Sequence, residues 1–132
     1  MEKKVVVHNK NGSVLKGVTQ NFSPGGESFY LLPAEGGGVP VKVATDELKA
    51  LFYVKNYLGN RDFVSACAFD EARTAERKAI VKFKDGEEIW GYMGEKDEND
   101  TLGFFFFPAD KEDNNLRIYV INSAVEDTKR VS

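Results

Sequence analysis

The sequence is poor in the residues that build reactive sites. Its 132 residues include one cysteine, Cys67, and one histidine, His8. A lone cysteine excludes an intramolecular disulfide, and one of each leaves no zinc constellation. In "FVSACAF", Cys67 reads as a small buried hydrophobe. Nucleophilic catalysis needs a nucleophile, a base and a group that orients the base, yet the only imidazole falls in an expected first strand beside Asn9. No apolar run approaches the ~20 residues of a membrane span, and no charged start followed by an apolar stretch marks a secretory leader. Gly36-Gly37-Gly38 joins two expected strands and precedes no helix, so it lacks the context of a phosphate-binding loop. With a net charge of −3 and no basic run, the chain is ill suited to neutralising nucleic-acid phosphates. These absences point to a soluble cytoplasmic protein that is not an enzyme, with no catalytic residues, no metal, no cofactor and no nucleic-acid or membrane partner.

What the sequence does contain is repetition. Phe29-Tyr30-Leu31-Leu32-Pro33-Ala34-Glu35 has the same grammar as Phe104-Phe105-Phe106-Phe107-Pro108-Ala109-Asp110, 75 positions later. Upstream, Val5-Val6-Val7, Asn11-Gly12 and Leu15-x-Gly17 match Ala79-Ile80-Val81, Asp85-Gly86 and Ile89-x-Gly91 at 74 positions. Downstream, Val41-Lys42-Val43 is set against Leu116-Arg117-Ile118, again at 75. An internal repeat of this kind governs the fold. Residues 1–54 form the first copy, 55–77 a packed linker and 78–132 the second copy.

Within each copy, Asn-Gly or Asp-Gly between two β-prone runs signals a hairpin, in which both central residues are expected at positive φ. The mid-strand glycines Gly17 and Gly91 suggest a bend or a close backbone approach. Phe104 to Phe107 alternate across a strand packed on both faces, one face filling its own copy and the other meeting the sister copy. Pro33 and Pro108 end that strand. A further strand follows, then one helical turn around Asp46-Glu47-Leu48 or Asn122-Ser123-Ala124, with Thr45, Asp46 or Asn122 as its cap, then a fifth strand. The layout predicts an all-β protein of two tandem SH3-like or Sm-like barrels, about five strands each, packed together. Asp70 would cap a short helix in the linker, carrying Glu71 to Arg77.

Three groups invite a functional reading. The acidic tip "EKDEND", Glu95 to Asp100, lacks the spacing of a calcium loop and reads as solvated. Trp90, opposite Ile89 on its strand, suits either a protein-contact patch or packing between copies. Asn21-x-Ser23-x-x-Gly26, in "NFSPGG", resembles one motif of PilZ domains, and Arg73-x-x-x-Arg77 resembles the other, in reversed order. That resemblance implies a cyclic di-GMP site formed by Asn21, Ser23, Gly26, Arg73 and Arg77. The whole chain also resembles an uncharacterised bacterial domain family, through the Gly17 to Pro24 loop and the segment from Phe106 to Val125. It implies a module attached to signalling proteins. The primary expectation is a non-enzymatic regulatory or protein-binding module with a protein partner, which leaves room for a homodimer. The alternative is a cyclic dinucleotide receptor.

Overall fold

The computed structural model describes residues 3–19, 22–23, 26–34, 38–55, 78–94, 102–109 and 115–130. The first copy contributes β1 (Lys3–Asn9), β2 (Val14–Thr19), β3 (Ser28–Pro33), β4 (Val41–Ala44) and β5 (Leu48–Val54). The second contributes β6 (Lys78–Phe83), β7 (Glu88–Met93), β8 (Gly103–Pro108), β9 (Asn115–Ile121) and β10 (Val125–Arg130). A 3-10 turn, Thr45–Glu47 or Asn122–Ala124, separates the fourth strand from the fifth in each copy. Neither turn has a side-chain cap; the capping positions are Ala44 and Ile121, and Thr45 is buried with its hydroxyl unpartnered among the described residues.

All ten strands join one antiparallel sheet in the order β10-β6-β7-β8-β9-β5-β1-β2-β3-β4. Both copies therefore share one strand order, and they are laid head to tail. This replaces the expected pair of separate barrels with one open sheet. The physical reason lies in β5 and β9, which carry apolar side chains on both faces. A barrel closed on itself would bury only one of those faces. Pairing β5 with β9 buries both and satisfies two rows of backbone groups that would otherwise be edges.

Alternation then divides the interior into two cores. Core 1 gathers Val5, Val7, Phe29, Leu31, Leu51 and Tyr53 of the first copy, closed by Tyr119 and Ile121 of β9. Core 2 gathers Val81, Phe83, Phe106, Ile118 and Val120 of the second, closed by Val6, Ala50, Phe52 and Val54. The four phenylalanines obey the expected alternation: Phe104 and Phe106 serve their own core 2, Phe105 packs on core 1, and Phe107 remains exposed. Each fully buried ring of this kind contributes about 1.5–3 kcal/mol relative to exposure.

Two local expectations need correction. In both first hairpins only the glycine, Gly12 or Gly86, has positive φ. The loop has three residues rather than two: Gly12 N–H donates to Asn9 O and Gly86 N–H to Phe83 O, while Asn9 and Phe83 donate to the carbonyls of Ser13 and Glu87. A type I turn followed by glycine then suffices, and Asn11 and Asp85 serve by accepting from the backbone N–H of Ser13 and Glu87. The second correction concerns register. β4 corresponds to Ile118–Ile121, not to Leu116-Arg117-Ile118, because Leu31 pairs with Val41 as Phe106 pairs with Ile118. A shift of two preserves the inward and outward parity, so the apolar pattern cannot reveal it. The mid-strand glycines do mark a close approach: a Cβ at Gly17 or Gly91 would collide with the carbonyl oxygen of Leu32 or Phe107.

The linker residues 56–77, with the proposed helix, lie outside the described residues. No helix of the described residues is long and apolar enough to cross a membrane.

Candidate functional site

The seam between the copies concentrates the charged chemistry. Lys49 sits on β5, where the register with β1 shifts between His8 and Asn9 and so turns its side chain toward the second hairpin. There its ammonium meets Asp85 at 2.8 Å and Glu87 at 2.6 Å, and lies 4.7 Å from the centre of the Phe83 ring. Hydrogen bonding to Lys49, then the backbone N–H of Glu87, holds the Asp85 carboxyl below its ordinary range. Burial pulls Lys49 down, but its bonds to Asp85 and Glu87 outweigh this and leave it raised. From the first hairpin, Lys10 donates to the carbonyl of Asp46 at 2.7 Å and to the hydroxyl of Ser123 at 2.5 Å. Lys10, Lys49, Lys84, Asp85 and Ser123 thus surround a cleft of about 140 Å³ floored by Phe83.

That cleft is well below the roughly 300–1,000 Å³ of small-molecule sites. Lys49 is already engaged by two carboxylates. His8 stands 4.5 Å from the Phe52 ring, and burial, followed by the charge of Lys49, keeps its imidazole below its ordinary pKa. It reads as a packed strand residue. Among the described residues no group of three His, Cys, Asp or Glu could hold a metal ion. A second hollow of about 410 Å³ beside the hairpin tip is bounded by Asn9, Lys10, Asn11, Asp46 and Glu47. On the other side of the seam, Arg117 lies 4.3 Å from the Tyr53 ring centre and 4.7 Å from that of Phe105, a cation held between aromatic faces.

Of the residues singled out by sequence, Asn21, Arg73 and Arg77 lie outside the described residues. Ser23 and Gly26 form a tight turn, Gly26 N–H donating to Ser23 O at 2.9 Å, with the Ser23 side chain exposed. The neighbouring Phe22 packs edge-on against Phe29 and Tyr119, covering core 1. Trp90 is half-buried on β7, opposite Ile80 of β6. The Lys49 cluster was not foreseen, since nothing in the sequence says that a strand lysine will meet a hairpin of the other copy.

The ends of the sheet differ from the seam and from each other. β10 shows Glu126, Asp127, Lys129 and Arg130 to solvent. At the other end Tyr30, Val39 and Val41 are 51%, 70% and 39% exposed. The β10 end is mostly charged, whereas the β4 end exposes apolar residues around a single strand lysine, Lys42.

The profile of a family described only as of unknown function, DUF6982, matches residues 1–132. The chain belongs to this family. No curated protein and no solved structure matches the chain. The family description states no activity, ligand or partner, so function must be argued from the sheet itself.

Proposed function

We propose that the chain is a non-enzymatic, cytoplasmic protein-binding module of regulatory type. The observation that supports this best is the apolar end of the sheet, where Tyr30, Val39 and Val41 lie in and beside β3 and β4. Val41 lies on the core 1 face and Tyr30 on the opposite face beside Lys42, so exposed apolar side chains flank the β4 edge on both faces, and a partner strand laid along that edge would cover them. The small seam cleft supports the same reading, because Lys49 and Lys10 are engaged in contacts that join the copies.

The test is affinity capture with the full chain on extract of the source cell, read by quantitative mass spectrometry, alongside calorimetric titration with cyclic di-GMP. A reproducible protein partner and no heat from the nucleotide are expected. Saturable nucleotide binding lost in both Arg73→Ala and Ser23→Ala would replace this reading with the receptor.

A further inference from the structure

The molecule contains its own example of strand addition. β5 lies antiparallel along β9, with Ala50 opposite Val120, Leu51 opposite Tyr119 and Phe52 opposite Ile118. Through this pairing Ala50, Phe52 and Val54 close core 2. β4 is the same strand of the first copy: Ser28, Phe29, Tyr30 and Leu31 pair with Ala44, Val43, Lys42 and Val41 as Gly103 to Phe106 pair with Ile121 to Ile118. Among the described strands nothing lies along the outer edge of β4. The consequence shows in one residue. Ile118 is 2% exposed, whereas its counterpart Val41 is 39% exposed.

From this, and resting on the protein-binding reading above, the geometry points to the outer edge of β4 as a strand-addition site for an extended peptide of a partner protein. The peptide runs antiparallel to β4, with apolar residues at two alternate positions and a polar or acidic residue between them. The apolar positions stand opposite Val43 and Val41, where β5 places Ala50 and Phe52 against β9. The middle position stands opposite Lys42, which replaces the buried Tyr119 and favours an opposite charge across the strands. Main-chain bonds supply affinity and the alternate side chains supply selectivity.

A second copy of this chain is a poor occupant. The strand equivalent to β5 is β10, since Val5 pairs with Tyr53 as Ala79 pairs with Arg130, and Val7 with Leu51 as Val81 with Thr128. Laid on β4 in the seam register, β10 would bring Asp127 opposite Val43 and Lys129 opposite Val41, placing charges where β5 places Ala50 and Phe52. Pro40, at the position of Arg117, lacks a backbone donor and limits the added ladder to the four residues of β4. The association is therefore short and weak.

The test uses a synthetic peptide of residues 48–55 with Glu in place of Leu51, titrated into the isotope-labelled full chain and followed by NMR. Saturable shifts at Val41, Lys42 and Val43 are expected, with slowed amide exchange there. Val41→Lys should weaken binding at least tenfold without moving the thermal midpoint of the free protein. A peptide with the sequence of β10 should give no shifts. Shifts at β10 or β9 instead of β4, equal affinity in Val41→Lys, or a dimer of the chain that already protects the β4 amides would each overturn the assignment. The two readings fail separately. Undiminished capture of a cellular partner by Val41→Lys would remove the edge and keep the binding module, whereas no partner for either protein would remove both.

Discussion

The seam and the free ends of the sheet are built from the same two strands, used twice. In the seam, β9 and β5 read Ile118-Tyr119-Val120-Ile121 and Ala50-Leu51-Phe52-Tyr53, apolar on both faces. At the free ends the counterparts read Val41-Lys42-Val43-Ala44 and Asp127-Thr128-Lys129-Arg130. A strand that is covered on both sides can be apolar throughout, while one left at an edge must discourage pairing with its like. The duplicated sequence has diverged along that line. β10 carries charge at Asp127, Lys129 and Arg130, whereas β4 has Lys42 for Tyr119 and Ala44 for Ile121 on one face and keeps valines on the other, where β9 has Ile118 and Val120. The more highly charged β10 edge discourages strand pairing more strongly than the β4 edge does.

Truncating the counterparts gives the largest contrast. Tyr119 is fully buried, and its ring meets Phe22 and Phe105 edge-on at 5.1 Å each. Tyr119→Ala should cost about 3–5 kcal/mol in chemical denaturation. Lys42→Ala, at the equivalent exposed position, should stay within about 0.5 kcal/mol. Comparable losses at the two sites would mean that the ends of the sheet are covered as the seam is.

The sequence disclosed the repeat, the number of strands, the 3-10 turns and the alternation of the phenylalanines, because each is written in local periodicity. It did not disclose the seam. Whether five strands close on themselves or join five others depends on which edge β5 finds, and both outcomes use the same alternating residues. The two-residue slip at β4 was hidden for a related reason: Val41-x-Val43 matches the parity of Leu116-x-Ile118 as well as that of Ile118-x-Val120. Only the ladder, with Leu31 on Val41 and Phe106 on Ile118, separates them. The site was less legible still. The motif residues Ser23 and Gly26 do the work of a turn, and Lys49 acquires its partners solely through the contact between copies.

A smaller effect is expected where the seam constrains backbone. Gly103 stands where the first copy has Ser28. A Cβ at Gly103 would come within 2.9 Å of the Tyr119 ring and would collide with the carbonyl oxygen of Val120. In the first copy Lys42 takes the place of that ring, and serine is accommodated. Gly103→Ser should therefore lose about 1–3 kcal/mol through overpacking, while Ser28→Gly should cost no more than about 1 kcal/mol through added backbone freedom. A Gly103→Ser protein as stable as the parent would show that both the Tyr119 ring and the β8–β9 backbone at Val120 can shift to admit a Cβ.

The smallest effect compares two ion pairs at equivalent bulges. Lys49, 12% exposed, holds Asp85 and Glu87 across the seam, whereas its counterpart Glu126 meets Lys82 at 3.6 Å with both side chains about half exposed. The bulges correspond, falling between His8 and Asn9 on β1 and between Val125 and Asp127 on β10. Because both carboxylates facing Lys49 are themselves largely solvated, Lys49→Met should cost only about 0.5–1 kcal/mol at neutral pH, and Glu126→Gln less. The pH dependence gives the sharper readout. With its carboxyl held below the ordinary range by Lys49, Asp85 stays ionised in the folded chain after the unfolded chain has begun to bind a proton near pH 4. Its contribution is therefore complete above about pH 5 and drains away as the pH falls through 4 and below. Denaturation midpoints between pH 6 and pH 3 should fall less steeply in Lys49→Met than in the parent, and Glu126→Gln should follow the parent curve. Parallel curves for all three proteins would mean that Lys49 contributes no electrostatic link across the seam, leaving the apolar residues of β5 and β9 to join the copies alone.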